Sequence, residues 1–141
     1  MGLVFKYQKY KDRYVPMATG VLKNGANEQI FFRIIDSGAD FTTIPLPIAE
    51  MLDLDLEKSI GDIHVAGVAY AGHLAHCDII FSARKEKHIV SNVPIDVIEA
   101  PPGKDYPPIL IGRAGIFSRF TITFKEKDLR VYFKKETEKA Y

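Results

Sequence analysis

Ile30-Phe31-Phe32-Arg33-Ile34-Ile35-Asp36-Ser37-Gly38-Ala39-Asp40-Phe41-Thr42-Thr43-Ile44-Pro45 is the stretch on which the reading of this chain turns. Its first six residues form a β-branched and aromatic run of the kind that fills buried strands, and the run stops at a carboxylate, a hydroxyl and a glycine. The pattern predicts a strand that delivers Asp36 to the mouth of a cleft. Gly38 lets the backbone turn tightly and carries no side chain to block a ligand or a second backbone there. The plainer reading is an Asx turn, in which Asp36 bonds its own backbone two residues on. The rest of the chain has to decide between them.

Residues 1–141 are long enough for one domain, which at this size buries about 68–70% of the surface exposed by the unfolded chain. A hydrophobic content of 47% and a charged content of 26% are ordinary for a globular protein, and a formal net charge of +1 leaves no footprint for nucleic acid. Lys6, Lys9, Lys11, Lys134, Lys135 and Lys139 read as groups that keep edges and tails solvated. Cys77 is the one cysteine, which excludes an internal disulfide framework and fits a reducing compartment. The first residues lack the basic segment and apolar core of a signal peptide, and no apolar run approaches the ~18 residues of a membrane span. The expected setting is cytoplasmic, with no membrane partner.

Outward from the central stretch, residues 14–22 alternate and end at Lys23-Asn24-Gly25, a strong hairpin signal whose return strand, residues 28–35, feeds Asp36. After a short strand at residues 42–44, residues 46–52 combine an early proline with apolar helical spacing, predicting a helix of a turn or two. Residues 62–82 hold two extended arms around a tip of small residues, as a hairpin flap does where backbone faces a partner. Arg84-Lys85-Glu86-Lys87 is a charged turn, and residues 89–90 and 93–98 are further strand material. The segment 100–108, with four prolines, reads as an ordered loop wrapping the core rather than a polyproline ligand. Residues 109–117, then 119–124, a charged turn at 125–128 and residues 129–133 close the chain. Short strands at regular spacing with one or two short helices predict an all-β, barrel-like domain.

Together these features resemble the retropepsin-like aspartic proteases, the retroviral proteases and their single-domain cellular relatives. Three motifs carry the likeness over residues 14–133: the strand into Asp36-Ser37-Gly38-Ala39-Asp40, the glycine-bearing flap at residues 65–72, and Leu110-Ile111-Gly112-Arg113. The resemblance implies an acid-protease-like closed barrel with a flap hairpin. It also implies an endopeptidase that uses neither metal nor cofactor and acts on a peptide or protein substrate. Its chemistry needs two carboxyls, one ionised to draw a proton from water and one protonated to hydrogen-bond the scissile carbonyl. Carboxyls about 3 Å apart cannot both ionise, so the pair holds one proton over a useful pH range. The sequence has a single Asp-Ser/Thr-Gly motif. A catalytic Asp36 therefore requires a two-fold homodimer that sets it against its own copy.

Carried over residue by residue, Asp36 is catalytic, and Gly38, Asp40, Ala66 and Gly67 face substrate, the last two from the flap. Ser37 locks the two catalytic loops across the dimer. Arg113 pairs with Asp40 and clamps the loop to the last motif, a buried pair of the kind that costs about 3–5 kcal/mol to break from one side. Ala39, in place of a hydroxyl residue, removes a hydrogen bond to the ionised dyad and predicts weakly acidic to neutral operation rather than an optimum near about pH 2. Ala114 stands where many relatives have an acid. Two apparent strands follow residue 117, where retroviral enzymes have a helix and a dimer-building strand.

Asp36-Ser37-Gly38 also resembles the surroundings of a serine-protease nucleophile, but Ile35 stands where a glycine is expected and no histidine is marked as the base. His73 and Cys77 fall on one face of a strand and His76 and Asp78 on the other, so they do not close around one zinc ion. Cys77 reads as a small buried hydrophobe. The remaining alternative to an enzyme is a dimeric protein- or peptide-binding module of the same fold without hydrolysis.

Overall fold

The computed structural model describes residues 2–137; Lys139, among the lysines named above, lies outside them. The 30–45 stretch is built as expected. The strand β4 (Met17–Asn24) turns into β5 (Asn27–Ile35), and the turn is made at Gly25 with φ +60°. Asn24 and Asn27, on either side of that turn, donate from their side-chain amides to the Leu52 carbonyl at 3.0 and 3.3 Å. The hairpin tip thereby caps the helix α1 (Leu46–Met51). That helix ends in a Schellman arrangement: Asp53 takes φ +54°, its N–H donates to Glu50, and the Leu54 N–H donates to Ala49.

Six strands close into a barrel. β5 pairs in parallel with β10 (Leu110–Ile111), β10 antiparallel with β6 (Thr42–Pro45), and β6 in parallel with β9 (Glu86–Glu99). β9 pairs antiparallel with β8 (Val68–Ala83), which returns to β4 and closes the ring. The sequence splits residues 89–90 from 93–98, but both lie on β9. A bulge opposite Asp78 divides them, with Asn92 at φ +55° donating its N–H to the Asp78 carboxylate at 2.9 Å. The inner face is apolar, and Phe31, Ile35, Ile44, Ile79, Ile95, Val97 and Ile111 are each fully buried or nearly so.

The first half of β8 pairs on its other side with β7 (Lys58–Val65), and the two strands run on together as the flap. A smaller sheet joins β1 (Leu3–Lys6), β12 (Arg130–Lys135) and β11 (Phe120–Lys125), with β12 in the middle. Within it Phe133 meets Phe5 at a centroid distance of 5.2 Å, and it is fixed to the barrel by Phe81, which meets Phe133 at 5.2 Å and Phe120 at 5.8 Å. Between β1 and β4 the chain makes a short hairpin of β2 (Gln8–Tyr10) and β3 (Arg13–Val15). Glu126–Asp128 form a 3-10 turn between β11 and β12. Among the described residues no helix is long and apolar enough to cross a membrane. Cys77 is buried, and burial, with the Asp78 charge adding to it, pushes its thiol up to about 12.

Candidate active site

Asp36 follows β5 at the point where that strand runs parallel to β10. Its N–H donates to the Ile111 carbonyl at 2.9 Å, extending the β5–β10 ladder by one bond. Its carboxylate Oδ1 accepts the Gly38 N–H at 2.9 Å, and its carbonyl accepts the Ala39 N–H at 3.1 Å. The Asx turn is therefore real, and it is also what orients a half-buried carboxylate. Gly38 has no left-handed backbone angle; a Cβ there would sit 3.2 Å from Asp36 Oδ1 and near nothing else. The glycine keeps the carboxylate unobstructed rather than relieving a strained turn. Ser37 and Gly38 are exposed.

Two strands of sequence 70 residues apart are knitted together here. The Gly112 N–H donates to the buried Thr42 Oγ1 at 3.1 Å, the Arg113 N–H to the Ala39 carbonyl at 2.9 Å, and the Ala114 N–H to the Asp40 carbonyl at 2.8 Å. Gly112 is packed so closely that a Cβ would fall 2.3 Å from the Phe41 carbonyl carbon. Ala114 contributes through its backbone alone.

Arg113 and Asp40 form the expected ion pair, but not a buried one: their side chains are 53% and 72% exposed. Both project from the rim of the loop, and the clamp between the motifs is the backbone ladder just described. Arg113→Ala is therefore expected to lower protomer stability by less than about 1 kcal/mol, the usual worth of an exposed pair, in urea unfolding at protein concentrations that keep the chain monomeric. A loss in the range first expected for a buried pair restores that earlier view.

The flap tip is Ala66-Gly67, a two-residue turn between the paired Val65 and Val68, with φ +50° and +81°. Positive φ at both central residues is the type I′ pattern favoured by tight hairpins. Ala66 and Gly67 are exposed, and among the described residues no hydrogen bond ties them to the Asp36 loop. The structure thus gathers Asp36, Ser37, Gly38, Asp40 and Arg113 into one loop pair and leaves the flap tip standing apart within the protomer.

Two residues of this region went unassigned in the sequence. Thr42 is a fully buried hydroxyl at the head of β6, and its signal is a polar residue beginning an apolar strand. Asp96 is an acid in the apolar run of β9, in register with Thr43 on β6 and Leu74 on β8. Burial, and then the Asp40 charge, raise the Asp96 carboxyl above its ordinary value. Such an acid holds its proton more tightly folded than unfolded. Protonation therefore favours the fold at low pH, and that advantage is lost as pH rises through the folded-state value. Asp96→Asn is accordingly expected to raise the thermal midpoint near neutral pH and leave it unchanged below about pH 3, where the carboxyl is already neutral. An unchanged or lower midpoint at neutral pH overturns the assignment.

No protein-family model matches the sequence, and no curated protein matches it. Solved structures do. A retropepsin-like aspartic protease from Rickettsia conorii aligns over 94% of this chain and 93% of its own, with a TM-score of 0.55 at 13% identity. The retroviral protease-like domain of Ddi1 from Leishmania major aligns over 87% of this chain and 96% of its own, with a TM-score of 0.47 at 15% identity. The EIAV protease, solved with the inhibitor HBY-793, aligns over 75% and 88%, with a TM-score of 0.42 at 15% identity. The Rickettsia likeness defines the fold: this chain has the fold of the retropepsin-like aspartic proteases.

Proposed function

We propose that this protein is an aspartic endopeptidase acting as a homodimer, in which Asp36 from each subunit forms a water-activating dyad. The observation that carries the reading is the setting of Asp36. It is a half-buried carboxylate held by the Gly38 N–H, on a loop anchored to Ile111, beside a glycine whose missing side chain leaves the carboxylate unobstructed. One chain supplies one such acid, so the dyad comes from two-fold association.

In the dimer the two carboxyls share one proton. The ionised member draws a proton from water as that water attacks the scissile carbonyl carbon, while the protonated member hydrogen-bonds the carbonyl oxygen. The proton then passes to the leaving nitrogen as the tetrahedral intermediate collapses, and the dyad is restored. The Gly38 carbonyl and Asp40 receive substrate backbone, Ala66 and Gly67 close over it, Ser37 joins the two loops, and Arg113 holds Asp40. The site needs no metal.

Cleavage of a peptide library by the purified chain, with its mass measured in solution under the same conditions, tests the reading. Cleavage by a dimer is expected. Cleavage by a strict monomer refutes the dyad, and a dimer that retains peptides without cutting them identifies a binding module of the same fold.

A further inference from the structure

A cavity beside β5 lies outside the Asp36 loop. It measures about 480 Å³, within the range that encloses small ligands. Its wall is mainly apolar: Phe32 from β5, Ile48 from α1, Tyr10 from β2, and Tyr106 and Pro107 from the proline-rich loop. Tyr106 is held in place by stacking on Tyr70, whose hydroxyl donates to the Asp105 carbonyl at 3.3 Å. The wall is therefore formed in advance of any ligand.

One charged group enters this wall, Arg33. Its Nη1 donates to the Phe32 carbonyl at 2.9 Å, its Nε is buried without any partner, and among the described residues no carboxylate lies within ion-pair distance. A guanidinium stays protonated in proteins, and a half-buried cation without a counter-ion is a cost the fold carries until an anion arrives. A single guanidinium matches a single negative charge, and apolar walls penalise a dianion. A carboxylate also fits the planar fork of the guanidinium.

We propose that this cavity binds an apolar carboxylate, its hydrocarbon or aromatic body between Tyr10, Phe32 and Tyr106 and its carboxylate on Arg33. Because Arg33 lies on the strand that carries Asp36, occupancy also braces that strand. The site is independent of the peptidase reading and stands or falls apart from it.

Calorimetric titration of the full chain with 4-phenylbutyrate, its neutral amide and acetate tests the proposal. The acid is expected to bind at least about tenfold more tightly than the amide, which lacks the charge, and than acetate, which lacks the body. Arg33→Gln is expected to remove the preference of acid over amide. Tyr106→Ala, on a surface loop, is expected to weaken both in parallel and serves if the Arg33 variant does not fold. Equal binding of acid and amide, a preference that survives Arg33→Gln, insensitivity to Tyr106→Ala, or no binding of any probe each overturns the proposal. Acetyl-phenylalanine and acetyl-Ala-Ala-Phe separate the two sources of such a group. Equal affinity assigns a free acid, about tenfold tighter binding of the tripeptide assigns a peptide C-terminus, and either supports carboxylate recognition.

Discussion

Asp36→Asn is expected to abolish the proposed peptide hydrolysis, with a loss of about 10³-fold or more, while leaving the protomer folded. The substitution keeps the shape of the side chain and its acceptor for the Gly38 N–H, so the Asx turn survives. On the proposed mechanism it removes the carboxylate that would take a proton from water, a contribution of roughly 10²–10⁴-fold for a positioned acid or base, and with it the shared proton of the dyad. The sharper test is mixing. With equal amounts of wild-type and Asp36→Asn chains exchanging freely, about one dimer in four carries two aspartates by simple two-fold statistics. Activity of a fixed total amount of chain is expected to fall to about a quarter of that of the wild type alone. A fall to only one half means that each chain works alone, and the shared dyad is then wrong. Circular dichroism and solution mass of the variant establish that the loss is chemical.

The largest structural effect is expected at Gly112. A methyl group there would lie 2.3 and 2.4 Å from the carbonyl carbon and oxygen of Phe41 and 2.8 Å from the Thr42 nitrogen. All three are backbone atoms, so no side-chain rotation relieves the clash. Relief requires moving the head of β6 away from the 112–114 segment. That movement strains the bonds from Gly112 to Thr42, from Arg113 to Ala39 and from Ala114 to Asp40. Gly112→Ala is expected to cost about 3 kcal/mol or more, above the ordinary range for an overpacked site because several hydrogen bonds go with it. Gly38→Ala is the control: its Cβ would meet only the Asp36 carboxylate, so the fold should hold while hydrolysis falls. Urea unfolding of the two variants side by side decides the point. If Gly112→Ala is no less stable than Gly38→Ala, the close approach is not what requires the glycine.

What was legible in the sequence is what depends on local chemistry. The run 30–35 ending in Asp36, the Gly25 turn, the proline-started helix and the small-residue flap tip each carry their reason within a few residues, and each element is where the pattern places it. The ion pair between Asp40 and Arg113 was legible through resemblance, but its exposure was not, because burial is set by how far a loop projects from the barrel. The bulge at Asn92 was missed because a bent strand and two short strands have the same alternation. Asp96 and Arg33 were silent for a common reason. Each is a charged residue in an apolar strand, and the surroundings that give it meaning come from a distant part of the chain.

The small sheet at the chain ends has a bearing on control. β12 is hydrogen-bonded on both sides by strands of its own chain, and the cluster of Phe5, Phe81, Phe120 and Phe133 is closed within one protomer. That part of the fold therefore asks nothing of a second subunit, and on the proposed dyad the lone protomer is a finished fold that carries one of the two acids. Assembly and folding are then distinct equilibria. For the proposed dimeric peptidase, abundance itself is then the expected regulator: a dilute population is folded and silent, and output rises with the square of concentration until pairing saturates.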